Sequence, residues 1–275
     1  MLKRFLAVLL MIALLVSLCA VQAEEEESGE AVLVGELIHQ EGDDESTEFI
    51  QEPFDPYISA RKPIGTDDRY SVNVKTYPYR AIAYIQAHYG CGCDSTGTGF
   101  LVGPSGLMTA GHVVYCTKHE RPADRFTIYF GYSSSRNYLY KYTKPTTYWY
   151  NYSHNPYSEE FDYAYIKLQE RVGDSMGWFG VSARSDSRLD AAVMYAAGYR
   201  QGELKADYDW IYVATPYELK HTIDTEPGYS GCPIFTDDYM AVAINVSHDR
   251  YLDYNYGCRI TNWLVNSMRA NGIFD

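Results

Sequence analysis

The feature that most constrains this chain is a series of short apolar or alternating segments running from Tyr77 almost to the end, each cut off by Gly, Pro, Asn or Asp. The segments 80–86, 99–102, 126–131, 163–168, 191–197, 210–213, 232–235, 240–246 and 257–260 have the length and composition of strands. Many short strands of this kind fold as a barrel or a sandwich. The last element differs: Thr261 can cap a helix in which Trp263, Leu264, Val265 and Met268 recur at helical spacing and Gly272 marks the stop. We expect that helix to clamp the second half of the β-rich part. The 28 tyrosines, dense between Tyr129 and Tyr165, suit half-buried pleated surfaces rather than a carbohydrate-binding face.

Ahead of this part, Lys3 and Arg4 precede an apolar run over 5–20, and Val21-Gln22-Ala23 offers small residues where a signal peptidase cuts. We expect residues 1–23 to be a signal peptide and the protein to be secreted to the extracellular side by a Gram-positive-like bacterial route. The run is short for a spanning helix, and Leu18 is bulky where a lipoprotein site before Cys19 would want a small residue. Residues 24–60 hold 13 acids and no Lys or Arg, against a whole-chain charge of −13, so the acidity belongs to the leader. Residues 24–62 are expected to be an acidic propeptide cut near Ser59-Ala60-Arg61-Lys62-Pro63; a solvated tail is the alternative. The remainder is nearly neutral, which argues against nucleic acid or an anionic membrane as its partner.

The chemistry centres on Thr225-Glu226-Pro227-Gly228-Tyr229-Ser230-Gly231-Cys232-Pro233, where turn residues bracket a hydroxyl just before an apolar strand. Gly228 and Gly231 permit backbone angles that let the amides of Gly228 and Ser230 turn toward one point beside the Ser230 hydroxyl. A serine needs a base, and the base needs an orienting acid. His112, in Thr109-Ala110-Gly111-His112-Val113-Val114, ends a short apolar strand in a small-residue turn. Asp162, in Phe161-Asp162-Tyr163-Ala164-Tyr165-Ile166, stands at the mouth of an alternating strand. Their order along the chain is His, Asp, Ser.

These three motifs resemble those of the trypsin-fold (chymotrypsin-like) serine proteases, and in detail the secreted bacterial glutamyl endopeptidase (V8-like) branch. The likeness extends to Ile64-Gly65-Thr66-Asp67-Asp68-Arg69, Gly177-Trp178-Phe179-Gly180, Ala197-Gly198-Tyr199 and Asn255-Tyr256-Gly257-Cys258, and so covers about residues 63–270. It implies an all-β protein of two six-stranded antiparallel barrels with a C-terminal helix. The first barrel would span 63–172 and carry His112 and Asp162; the second, with the helix, would span 173–275 and carry Ser230. It also implies a serine endopeptidase that works as a monomer on protein or peptide substrates, with no cofactor and no metal. An idle trypsin-fold binding or toxin-like module and an esterase are the competing classes.

For the residue ahead of the scissile bond, the family reads a carboxylate with a Thr five residues before the nucleophile and a His on the following strand. Thr225 fits the first position; Asn245 stands in the second, and a neutral amide lacks the charge-assisted bond of an imidazolium. Asp224 is where trypsin places its pocket acid. The expected order of preference is Glu or Asp, then another polar residue, then Lys or Arg. Tyr229 precedes the nucleophile where digestive relatives carry the Asp that receives a freed N-terminal amine.

Five cysteines follow the expected signal: Cys91, Cys93, Cys116, Cys232 and Cys258. Export predicts disulfides. The resemblance pairs Cys116, near His112, with Cys91 or Cys93, and Cys232 with Cys258 is a second candidate pair. The rival reading is a zinc site made by Cys91, Cys93, Cys116 and His119. His39, His88, His119, His154, His221 and His248 otherwise read as surface or strand residues, with His221 and His248 close in sequence to the pocket segments.

Overall fold

The computed structural model describes residues 31–36, 64, 66–133, 137–144, 146–151, 159–248 and 253–275. The expected signal peptide and most of the expected propeptide, with His39 and His154, lie outside them.

The strands of the first half are β1 (Ala31–Glu36), β2 (Tyr70–Ser71), β3 (Ile82–His88), β4 (Asp94–Leu101), β5 (Gly106–Thr109), β6 (Tyr115–Cys116), β7 (Arg121–Pro122), β8 (Arg125–Phe130), β9 (Tyr140–Tyr142), β10 (Thr146–Asn151) and β11 (Tyr163–Lys167), with a single helical turn, α1 (Gly111–Val114), after β5. Eight of them form a curled sheet in the order β1-β10-β11-β5-β4-β3-β8-β9, while β6 pairs with β7 and β2 pairs with residues Lys205 and Ala206 of the second half. Alternation explains β8: Phe126, Ile128 and Phe130 are buried while the residues between them are not. Each such side chain contributes about 1.5–3 kcal/mol by leaving water. Strand β1, from the acidic N-terminal stretch, pairs in parallel with β10 at the edge of this sheet.

The second half contains α2 (Gly173–Met176), β12 (Gly180–Val181), α3 (Asp186–Leu189), β13 (Ala192–Arg200), β14 (Glu203–Val213), β15 (Glu218–His221), β16 (Pro233–Phe235), β17 (Met240–His248), β18 (Asn255–Arg259) and α4 (Asn262–Ala270). Because β17 pairs with both β16 and β18, the strands β17-β16-β13-β14-β15-β18 close into a six-stranded barrel. Its interior holds Met194, Ile211, Leu219, Ile223, Ile234 and Val242. Aromatic rings join the two halves: Phe179 packs edge-on against Phe100 of β4 at 5.7 Å and Phe235 of β16 at 5.1 Å, and Tyr84 of β3 meets Tyr199 of β13 at 5.5 Å. Tyr142, Tyr148, Tyr165, Tyr199 and Tyr229 are fully buried, so the tyrosine density serves packing.

Helix α4 forms where the spacing placed it. Thr261 caps it, its side chain accepting from the Leu264 amide at 3.2 Å, and Leu264 and Met268 are buried. Its partner differs from expectation: it rests on the first sheet. Tyr165 of β11 bonds Ser267 at 3.0 Å and Asn271 at 2.9 Å, and a Cβ on Gly106 of β5 would fall 1.9 Å from the Ile273 carbonyl. The apolar stripe of a helix specifies that a face is buried, not which sheet covers it.

Candidate active site

His112 lies on α1, held by the buried Val113 and Val114 beneath it. Asp162 follows the 3-10 turn Glu159–Phe161 and just precedes β11. One carboxylate grips the histidine twice: Asp162 Oδ1 accepts the His112 amide at 2.8 Å, and Oδ2 faces Nδ1 at 2.5 Å. The ring is thereby held with a proton on Nδ1 and with Nε2 open as an acceptor. Gly111 makes the approach possible, since a Cβ there would sit 2.5 Å from the Asn151 carbonyl and 2.9 Å from Asp162 Oδ1.

Ser230 lies on a turn shaped by two left-handed glycines, Gly228 at φ 107° and Gly231 at φ 85°. A Cβ on Gly231 would lie 2.1 Å from the Thr98 carbonyl and 2.8 Å from the Ala110 amide, so the turn presses against the strand end that leads to His112. The amides around it are spent: Tyr229 donates to Glu226 at 2.9 Å, Gly231 to Asn245 at 2.8 Å and Cys232 to Tyr229 at 2.9 Å. Those of Gly228 and Ser230 have no acceptor among the described residues. Nor does the Ser230 hydroxyl bond the His112 ring among them; such bonds are often long before substrate arrives.

Thr98 of β4 was missed by sequence reasoning. Its amide donates to the Ser230 carbonyl at 2.8 Å, its hydroxyl donates to the Gly228 carbonyl at 2.8 Å, and the same oxygen accepts the Tyr199 amide at 2.8 Å. One threonine of the first sheet thus pins the turn of the second barrel. A threonine flanked by Gly97 and Gly99 carries no signal for this in sequence.

Thr225 and Asn245 are fully buried beside the turn. Thr225 Oγ1 has no partner among the described residues. Asn245 Nδ2 donates to the Tyr229 carbonyl at 3.2 Å, and its Oδ1 lies 3.1 Å from Nε2 of the buried His221 on β15. Asp224 is occupied elsewhere: it accepts the amides of Ile64 at 2.5 Å and Asp68 at 3.4 Å, while its own amide donates to Asp207 at 2.7 Å. Burial pushes its carboxyl up to about 6. This acid is tied to the segment that begins near Ile64.

The expected disulfides do not form: among the described residues, none of Cys91, Cys93, Cys116, Cys232 and Cys258 is joined to another. Cys232 sits inside the second barrel, whereas Cys258 points outward and donates to the Glu160 carbonyl at 3.0 Å, so the two belong to different cores. Cys91 and Cys116 are neighbours with their sulfurs 3.8 Å apart.

Comparison with known proteins gives three findings. The family described as "Trypsin-like peptidase domain" matches residues 97–244. A glutamyl endopeptidase of Bacillus licheniformis is 34% identical over 229 residues, 78% of this chain and 69% of that protein; an extracellular metalloprotease of Bacillus subtilis is 31% identical over 218 residues, 75% and 68% of the two. Among solved structures, a Glu endopeptidase in complex with MPD superposes with a TM-score of 0.65 at 24% identity, covering 76% of this chain and 98% of that one.

Proposed function

This chain belongs to the trypsin-like peptidase family, and from that premise we propose that it is a secreted serine endopeptidase in which Ser230 is the nucleophile, His112 the general base and Asp162 the residue that orients it. The observation that carries this reading is the double grip of Asp162 on His112, which leaves Nε2 as an acceptor, together with the close approach of the Ser230 turn to Ala110, two residues before His112. His112 takes the Ser230 proton as the hydroxyl oxygen attacks a peptide carbonyl, then gives it to the leaving amine; water releases the acyl group by the reverse sequence. The uncommitted amides of Gly228 and Ser230 receive the developing oxyanion, where each donor contributes about 3 kcal/mol. Casein hydrolysis and labelling by a serine-directed fluorophosphonate test this. Both are expected in the processed chain and neither in Ser230→Ala; labelling at another residue would displace the assignment.

For the side chain ahead of the scissile bond, the reading is an acidic residue. A partnerless buried Thr225 hydroxyl can donate to a carboxylate, and the relative from Bacillus licheniformis is named a glutamyl endopeptidase. Asn245 would take part through its amide, with His221 behind it fixing the Asn245 side chain. Asp224 does not serve as a basic-residue pocket, because its oxygens are engaged by Ile64 and Asp68. Digestion of a peptide library varied at that position should give cleavage after Glu at least tenfold above Lys or Arg. A preference for Lys or Arg would overturn it. Secretion, with removal of residues 1–23 and 24–62, rests on the signal-like and acidic leader; N-terminal sequencing of the exported protein is the check.

A further inference from the structure

The turn between β3 and β4 and the turn after α1 bring four soft donors to one point. Gly92, at φ 79°, folds the first turn so that Tyr89 donates to the Cys93 carbonyl at 3.2 Å and Gly92 to the Tyr89 carbonyl at 3.1 Å, placing Cys91 and Cys93 on one side. In the second, the His119 amide donates to the Cys116 carbonyl at 3.3 Å. The donor atoms of Cys91, Cys93, Cys116 and His119 all lie within 4.8 Å of one another. Cys91 Sγ is 3.8 Å from Cys116 Sγ, and His119 Nδ1 is 3.4 Å from Cys93 Sγ and 3.6 Å from Cys116 Sγ.

Those three separations can be compared with two chemistries. A disulfide requires sulfurs about 2.05 Å apart. A tetrahedral zinc with bonds of about 2.3 Å to sulfur and about 2.0–2.1 Å to nitrogen requires sulfur–sulfur edges of about 3.8 Å and sulfur–nitrogen edges of about 3.5 Å. The observed edges match the second. We infer that Cys91, Cys93, Cys116 and His119 form a structural zinc site.

With four protein ligands the site is closed, which suits a structural rather than a catalytic ion. Binding converts three thiols to thiolates and releases their protons to solvent. The ion would tie the β3–β4 turn to the residues just after α1, which carries His112. The neighbouring bonds run the same way: Tyr89 and Ser95 hydroxyls both donate to the Val113 carbonyl, at 2.9 and 3.0 Å. The zinc would thus hold in place the segment from which His112 acts, the task that a disulfide performs in an oxidised site.

The test uses the full chain, secreted and purified without chelator or reductant, with zinc counted by elemental mass spectrometry. About one zinc per chain is expected. His119→Gln, at an exposed position, and Cys93→Ser, at a half-buried one, should each lower it at least fivefold while near-ultraviolet circular dichroism stays native. Phenanthroline should lower the melting temperature of the wild type and leave that of Cys93→Ser unmoved. Two results would overturn the site: a Cys91–Cys116 or Cys93–Cys116 disulfide in the non-reducing peptide map, or less than a tenth of a zinc per chain after the reduced protein has been incubated with zinc chloride and desalted.

Discussion

Asp162 makes its contribution by being an acceptor twice. In Asp162→Asn the amide group can accept from the His112 amide but turns an NH2 toward Nδ1, which favours the tautomer whose Nε2 carries the proton and cannot take another. We expect kcat/KM to fall about 10⁴-fold with little change in KM and an unchanged fold, read from peptide hydrolysis and circular dichroism. Asp224 gives the residue scale a pH signature. Its carboxyl, lifted by burial and by the facing Asp207 and Asp68 to about 6 from 3.8, holds a proton in the folded protein that the unfolded chain has released. The advantage of the neutral form is therefore complete below about 3.8 and is lost as pH rises through about 6. Asp224→Asn keeps the neutral form throughout. Its melting temperature relative to wild type should climb by about 2–4 °C between pH 4 and pH 7; a pH-independent difference would show that another group sets this dependence.

At the scale of elements, sequence pattern read the strands with a buried alternate face and the helix with a capped apolar stripe, because local spacing alone determines those. The strands β9, β10 and β15 were not singled out: β9 is only Tyr140–Tyr142 and β15 only Glu218–His221, too short for a period to register, and in β10 the run Tyr148-Trp149-Tyr150 puts aromatic residues on both faces and blurs the alternation. Strand β1 was hidden by the acidity of the sequence around it. The packing partner of α4 was also illegible, since it depends on Gly106 having no side chain where Ile273 arrives. Two substitutions separate the local from the tertiary contribution. Thr261→Ala removes the cap and should cost about 1 kcal/mol. Gly106→Ala drives a Cβ into the Ile273 carbonyl and should cost about 1–3 kcal/mol, with residues 262–275 becoming the first to exchange amide hydrogens. If that segment exchanges no faster than in wild type, α4 is held by the second barrel after all.

For the molecule as a whole, the proposed triad requires a curled sheet and a closed barrel to keep their relative position, since His112 and Asp162 come from one and Ser230 from the other. Three motifs in the right order predicted that both halves would be needed, but motifs cannot show what joins them. Large aromatic contacts such as Phe100–Phe179–Phe235 supply adhesion without fixing the register to a fraction of an ångström. One directional link, at the Ser230 turn itself, is Thr98, fully buried, whose hydroxyl connects the Gly228 carbonyl and the Tyr199 amide of the second barrel to β4 of the first sheet. Thr98→Val keeps the shape and removes the oxygen, leaving one buried acceptor and one buried donor unmet at a cost of about 2–3 kcal/mol. Because Gly228 also offers one of the two proposed oxyanion amides, the loss should reach catalysis: kcat falls about 10²-fold while KM changes little, as misplacement by about 1 Å does elsewhere. Thr98→Ser retains the oxygen and gives up only a methyl group, so it should recover most of kcat while remaining slightly less stable in urea. Were Thr98→Val and Thr98→Ser to lose stability and kcat equally, packing rather than this pair of hydrogen bonds would be what aligns the two halves.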